Sequence, residues 1–171
     1  MVVFGFITLS DESEDFSRIS EVPKEMDLVG FHDFIRDDLG YDPSSFSSFF
    51  KSDGNWDKLL EYTLIDVKDD SSAEGAMPMA DTLLGDIVKD RRDRLIFMFD
   101  IFAGRSFFLE LRELKEPADN MEYPRVESES GDIPPQFGTG DSFTISEEGI
   151  FDDAFDEFSN FDGTEYYDDE L

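Results

Sequence analysis

The sequence of 171 residues contains no cysteine, one histidine (His32) and one tryptophan (Trp56). Without cysteine the chain forms no disulfide, offers no thiolate to a metal and has no cysteine nucleophile. Basic residues are also scarce, because 14 Lys and Arg stand against 43 Asp and Glu and the formal net charge is −29. Nucleic acid and anionic membranes are bound through clusters of Lys and Arg, so direct binding to either is disfavoured.

Long apolar runs are absent as well. No run approaches the roughly 20 residues that a helix needs to cross a bilayer. Residues 1–15 also lack the basic region, the apolar stretch and the small-residue cleavage site of a signal peptide. We therefore expect a cytoplasmic protein without a membrane anchor. Its acidic surface is explained most simply by solubility, and a basic protein partner is the functional alternative.

Phenylalanine, in contrast, is abundant, with 19 copies. The richest stretch, 94–114, alternates with a period of two on both sides of Ala103-Gly104. Phe97 and Phe99 share one face with Leu95 and Ile101 in the first half, and Phe107 shares a face with Leu109 and Leu111 in the second. Two such runs around a glycine predict an antiparallel hairpin, and the doubly apolar first run indicates a central strand covered on both sides.

The remaining segments predict an α+β fold in which two helices pack on a mostly antiparallel sheet built from hairpins. The clearest helix is 27–39, with Asp27 as its N-cap and Gly40 at its end. A shorter capped helix is predicted at 82–88, with Leu83 and Ile87 facing inward and Leu84 as a further candidate for the inward face. Further strands are predicted at 2–9, 16–22, 46–50 and 60–67.

The chain divides into a domain, 1–137, and an acidic tail, 138–171. No Lys or Arg follows Arg125. The Pro-rich stretch 131–135 excludes a central strand and is compatible with a stiff arm that crosses the domain. In the tail, a stripe of apolar residues at helical spacing predicts an amphipathic helix that docks on its own domain or on a basic partner. The residues proposed for this contact are Phe151, Phe155, Phe158, Asp152 and Asp156.

No motif of a catalytic, cofactor or metal site is recognisable, and we predict none of the three. The residues that remain as cleft candidates are His32, Asp100 and Arg105. His32 lies beside the apolar stripe of the first helix and has no Cys or His partner, so a structural role is the simpler interpretation. Asp100 is most simply a residue at the end of a strand that bonds to nearby backbone. Arg105 is of interest because Ser106 follows it.

Three segments resemble the plasmid pRiA4b ORF-3-like family. The first is 28–42, with the helix LVGFHDFI followed by LGYD; the second is TLLGDIV at 82–88 followed by DRLIFMFD at 93–100; the third is YPR at 123–125 followed by GDIPP at 131–135. The order and spacing of these segments are similar to those of the family over residues 1–137. The stretch 100–107 departs from the family pattern, because the Gly/Asp-rich turn and its Trp are replaced by DIFAGRSF.

The resemblance implies an α+β domain without an established activity, in a family associated with bacterial plasmids and mobile elements. We expect a non-enzymatic interaction or accessory module. One alternative is a hydrolase or metal-dependent enzyme that uses His32, Asp100 and carboxylates near Asp132. The least favoured alternative is a remote recombinase-like protein with Ser106 as nucleophile and Arg105 beside it.

Overall fold

The computed structural model describes residues 1–64 and 76–137. These residues form eight strands, two α-helices and one turn of 3₁₀-helix. The predicted tail helix and the contacts proposed for Phe151, Phe155, Phe158, Asp152 and Asp156 lie outside the described residues. In chain order the elements are β1 (Val3–Ser10), β2 (Ser17–Pro23), α1 (Leu28–Leu39), β3 (Ser48–Ser52), β4 (Lys58–Thr63), β5 (Met77–Pro78), the 3₁₀ turn (Met79–Asp81), α2 (Leu84–Ile87), β6 (Arg94–Asp100), β7 (Arg105–Lys115) and β8 (Arg125–Ser130).

The strands form one sheet in the order β5-β4-β3-β6-β7-β1-β2-β8. Every neighbouring pair is antiparallel except β4 and β5, which are parallel, so the sheet is mixed. The predicted hairpin is β6–β7, in which Phe97 faces Phe107 and Leu95 faces Leu109. It lies at the centre of the sheet, and the α+β prediction is confirmed.

The two faces of the sheet carry different clusters, because successive strand residues point to opposite sides. The first face holds the main core, to which α1 contributes Leu28 and Phe31 and α2 contributes Leu84. Both helices therefore lie on this face. The second face holds a smaller cluster around Ile7, Leu9, Ile96 and Phe108.

Helix α1 begins and ends as its sequence predicts. Asp27 Oδ1 accepts a hydrogen bond from the Gly30 N–H at 2.8 Å, which satisfies one of the free donors of the first turn. At the other end Gly40 has a φ of 71°, a left-handed conformation that glycine adopts without a Cβ clash, and its N–H bonds back to Arg36 and Asp37 carbonyls. Leu28, Phe31, Ile35 and Leu39 are buried against the sheet.

The second helix differs from its prediction. It has one turn, Leu84–Ile87, and no side chain caps it. Leu84 is fully buried, whereas Leu83 is exposed, because Leu83 is extended and forms a β-bridge with Asp27. The prediction that Leu83 faces inward is wrong, whereas Leu84, the further candidate, does face inward.

Several strand boundaries also shift. The strand predicted at 46–50 lies at Ser48–Ser52, which leaves Phe46 outside the sheet and exposed. The strand predicted at 60–67 begins earlier, at Lys58, and residues 65–67 lie outside the described part of the chain. Ile101 was assigned to the same face of the first hairpin strand as Phe97 and Phe99, but it lies in the β6–β7 turn and is exposed. Strand β8 was not predicted. None of the helices in the described ranges has the length and apolarity needed to span a membrane.

Candidate functional site

A small pocket opens where β6 ends and the central hairpin turns. Its volume is about 180 Å³. Three segments meet there: the end of β6 with the β6–β7 turn, the loop after α1, and the arm that follows β8. The lining residues are Ser44, Ser45, Phe46, Phe99, Asp100, Ile101, Phe102, Gln136 and Phe137. Most of this wall is aromatic or aliphatic, and Asp100 supplies its one ionisable group.

The β6–β7 turn determines how Phe102 is presented. Asp100 Oδ1 accepts a hydrogen bond from the Ala103 N–H at 3.2 Å, and Gly104 turns the chain back with a φ of 71°. The predicted bond of Asp100 to nearby backbone is therefore present. Phe102 stands at the apex of this turn with 89% of its surface exposed.

The opposite wall comes from the arm, which does cross the domain. The Tyr41 hydroxyl donates to the Pro134 carbonyl at 2.5 Å, and burial raises the pKa of this phenol above its ordinary value, so it stays a donor. The Gln136 side chain bonds Asp42 in both directions, because its Oε1 accepts from the Asp42 N–H at 2.6 Å and its Nε2 donates to the Asp42 carbonyl at 3.2 Å. These bonds hold the arm against the end of α1.

Arg105, one of the predicted cleft residues, ties the central hairpin to the β1–β2 loop and to the arm. Its Nε and Nη2 donate to the two carboxylate oxygens of Glu12 at 2.9 and 2.7 Å. It also donates to the carbonyls of Pro135, at 2.5 Å, and Gln136, at 3.1 Å, and lies 3.6 Å from Asp100 Oδ2. The hydrogen bond with Glu12 raises the pKa of this guanidinium further above its usual value. Arg105 is therefore a permanent cation that holds the pocket wall.

The loop that carries Glu12 contains a second perturbed group. Burial, followed by the neighbouring charge of Glu12, raises the pKa of Asp11 to about 6, while Arg105 acts in the opposite direction. Two neighbouring carboxyl groups thus lie near one guanidinium, and Glu12 makes the bidentate contact with it.

His32, in contrast, does not reach the pocket. It is fully buried, with Nε2 bonded to the Ser47 hydroxyl and Nδ1 3.4 Å from Asp33 Oδ1. Its ring stands edge-on to Phe97, with the centroids 5.5 Å apart. Burial, with a smaller contribution from the charge of Arg36, lowers its pKa to about 4. His32 is therefore a neutral core residue, and the structure does not bring it together with Asp100 and Arg105.

The residues that the two enzyme hypotheses require are likewise not brought together in one site. Asp132 is exposed in the arm and does not line the pocket. Within residues 1–64 and 76–137, no group of three or more His, Cys, Asp or Glu side chains is arranged to hold a metal ion. Ser106 is buried and opposite Met98, and as a strand neighbour of Arg105 its side chain leaves the opposite face of the sheet.

Sequence reasoning missed most of the pocket. Glu12 and Gln136 were not among the candidates, Tyr41 was only part of a family segment, and Phe46 was placed in a strand. Phe137 marked only the end of the domain. Tyr41, Phe46 and Phe137 are each aromatic and near a proline or serine cluster, but this local signal does not say which residues meet.

The fold and the site thus define an α+β domain in which a mixed eight-stranded sheet carries two helices on one face and an apolar pocket at the turn of its central hairpin. The family model of the plasmid pRiA4b ORF-3-like protein matches residues 5–144. The chain belongs to this family, as its sequence segments indicate.

One solved structure supports the fold. It is the crystal structure of a protein of unknown function, MM3350, from Methanosarcina mazei Go1, with a TM-score of 0.59 over 75% of this chain and 68% of that chain. At 12% identity, the likeness extends to the fold alone. No curated protein matches the chain.

Proposed function

We propose that the protein is a cytoplasmic, non-enzymatic interaction module, an accessory protein of a plasmid or other mobile element. Its partner is a basic protein segment that inserts an apolar side chain into the pocket beside Phe102. The observation that carries the proposal is the exposure of Phe102 next to that pocket. The family and its structural neighbour, both without an assigned function, are compatible with this role and do not test it.

The apolar part of the surface comes from three aromatic residues that line the same pocket although they are far apart in sequence. Phe46, Phe102 and Phe137 line the pocket and are 52%, 89% and 62% exposed. Single exposed apolar residues are common, but a contiguous aromatic group around a concavity is typical of a contact surface. A volume of about 180 Å³ accommodates one large side chain rather than a cofactor.

The charge of the surroundings selects the partner. Asp100 lies in the pocket wall, and Asp42 lies beside it through its bonds to Gln136. Hydrogen bonds from the Ser44 N–H and hydroxyl lower the pKa of Asp42, so this carboxylate is ionised at neutral pH. In a chain with a net charge of −29, these groups favour a basic segment and speed its approach.

The hypothesis that the acidic tail binds the basic partner stays a prediction, because Phe151, Phe155 and Phe158 lie outside the described residues. The pocket is a contact surface that does not depend on them. The hydrolase or metal-dependent alternative has less support, since His32 and Asp100 do not share a cleft.

The test is titration of the ¹⁵N-labelled full chain with two blocked peptides, acetyl-Arg-Trp-Arg-amide and acetyl-Glu-Trp-Glu-amide. We expect the basic peptide to shift the amide resonances of residues 99–104, 44–46 and 136–137, and the acidic peptide to leave them unchanged. Phe102→Ser should abolish these shifts. Leu59→Ser, an exposed apolar residue on β4 outside the pocket, is the matched control and should preserve them.

Two results would contradict the proposal. One is an equal response to both peptides. The other is a response to the basic peptide that survives Phe102→Ser, because binding would then reflect the overall charge and not the pocket.

A further inference from the structure

The second face of the sheet is more deeply buried than a sheet face can be without a cover. Its apolar cluster consists of Ile7, Leu9, Ile96 and Phe108, against which Ile19, Phe50 and Trp56 pack. Ile7 and Ile96 have 1% of their surface exposed. Side chains that project from a single layer keep their tips in solvent, so burial of this degree indicates a second layer.

The described elements do not supply that layer. The helices α1 and α2 both contribute to the core on the first face. In residues 1–64 and 76–137, the cluster on the second face draws only on strand residues and on Trp56 in the β3–β4 turn. These exposed fractions are those of the chain by itself, so the cover must come from another part of the same chain.

The same face carries two arginines, although basic residues are scarce in this acidic protein. Arg94 donates to Glu110 Oε2 at 3.1 Å, and Arg112 lies 3.8 Å from Glu110 Oε1. All three side chains are buried. Arg94 also lies over the Trp56 ring, 4.4 Å from its centroid. Guanidinium groups next to apolar surface form a binding site for a segment that combines carboxylates with aromatic rings.

We propose that the acidic segment 141–171 of the same chain covers the second face, with Phe151, Phe155 and Phe158 on the apolar cluster and Asp152 and Asp156 towards Arg94 and Arg112. Between Asp141 and Glu170 the segment has twelve carboxylates, five Phe and no Lys or Arg. The aromatic rings of the segment are complementary to the apolar cluster of the second face, and its carboxylates are complementary to the arginines there. The other stretch outside the described residues, 65–75, offers two large apolar side chains, Ile65 and Val67.

The described chain ends close enough to the second face for the segment that follows to reach it. Gln136 is bonded to Arg105 at the start of β7, and Phe108 lies three residues further along that strand, a distance of about 10 Å. The thirteen residues from 138 to 150 can extend over as much as about 43 Å. The segment can therefore reach the second face without displacing the arm. This inference is independent of the proposed function, since the pocket beside Phe102 takes no part in it.

Trp56 is the only tryptophan and lies on this face, so its fluorescence reports the cover. In the full chain, Phe151→Ser/Phe155→Ser/Phe158→Ser should shift its emission to longer wavelength and raise its quenching by acrylamide about twofold, because the cover opens. The matched control Phe143→Ser/Tyr166→Ser/Tyr167→Ser changes three aromatic residues outside the stripe and should leave both quantities unchanged. Equal responses of the two variants, or none in either, would overturn the proposal.

A second measurement locates the segment while Phe151, Phe155 and Phe158 remain in place. The chain has no cysteine, so Ala154→Cys carries a single nitroxide label. We expect the label to broaden the amide resonances of Ile7, Ile96 and Phe108 and to spare those of Val29 and Asp33 on α1. Broadening of the α1 amides, or of no amides, would refute docking on this face. Broadening in a mixture of labelled ¹⁴N chain and unlabelled ¹⁵N chain would assign the cover to a second copy and would equally refute the proposal.

A label at Ser72→Cys tests the internal stretch 65–75 in the same way. If this label broadens Ile96 and Phe108 while the Ala154→Cys label does not, the cover is the internal stretch and the proposal is wrong.

Discussion

Arg105 and Glu12 form a bidentate ion pair between the start of β7 and the β1–β2 loop, with N–O distances of 2.9 and 2.7 Å. Both side chains are buried. The same guanidinium donates to two carbonyls of the arm, at Pro135 and Gln136. One side chain thus joins the central hairpin, the β1–β2 loop and the arm that forms one wall of the pocket.

Arg105→Ala should destabilise the domain by about 3 kcal/mol, because it leaves a buried carboxylate and two carbonyls without their donor. The free energy of unfolding from urea titration measures this loss, and hydrogen exchange of residues 132–137 should accelerate. Arg91→Ala is the control. Arg91 is exposed and bonds a single carbonyl, so its loss should cost less than about 0.5 kcal/mol. Equal costs for the two variants would mean that Arg105 is not the residue that holds the arm.

Phe97 is the apolar centre of the main core and should be the costliest phenylalanine to remove. It is fully buried, and its ring centroid lies 4.9 Å from that of Phe49. Phe97→Ala should lower the free energy of unfolding by about 3–5 kcal/mol. Phe102→Ala removes the same atoms from an exposed position and should change it by less than about 0.5 kcal/mol. A loss below about 1 kcal/mol for Phe97→Ala would contradict a core organised around the central hairpin.

His32 should make the domain less stable as the pH falls. Its pKa is about 4 in the folded chain against 6.5 in the unfolded chain, so the unfolded state takes up the proton first. The stability that depends on neutral His32 is complete above pH 6.5 and is lost between pH 6.5 and 4. The loss should amount to about 2–3 kcal/mol.

Many carboxylates titrate in the same range, so His32→Gln is compared with the natural chain at each pH. Glutamine cannot take up a proton but can still bond Ser47. The difference in unfolding free energy between the two chains should shrink from pH 7 to pH 4. A constant difference would show that His32 does not titrate on unfolding.

Gly131→Ala should destabilise the domain by about 2 kcal/mol or more. Gly131 follows β8 with a φ of 78°, and a Cβ there would lie 2.1 Å from the Asp15 carbonyl oxygen. The backbone of the β1–β2 loop would have to move. Gly54→Ala adds the same methyl group where no atom lies within 4 Å, and thermal unfolding should separate the two variants clearly. A similar melting temperature for both would mean that β8 does not approach the loop this closely.

The sequence was most informative where the pattern is local. The helix α1 follows from an apolar stripe, an aspartate that caps its first turn and a glycine that ends it, all within about four turns of chain. The hairpin β6–β7 follows from alternation on both sides of one glycine. Strand β8 was missed because it is an edge strand with the sequence RVESES, whose polar side chains carry no apolar period.

The candidate site was far less predictable. Asp100 and Arg105 are five residues apart and do meet, but the residues that complete the site around them, Glu12, Tyr41 and Gln136, come from three distant parts of the chain. His32 was a candidate because of its chemistry alone. The packing of α1 turned it inward against Phe97 and away from the pocket.

By itself the sequence determined the class of fold, the central hairpin, the first helix and the acidic character of the surface, because each depends on periodicity, capping or composition. Only the tertiary structure decided which face of the sheet the helices cover, that the arm closes a pocket beside Phe102, and that His32 is a core residue. Those outcomes depend on contacts between segments up to about a hundred residues apart. No local pattern encodes such contacts, since they are selected by the packing of the whole domain.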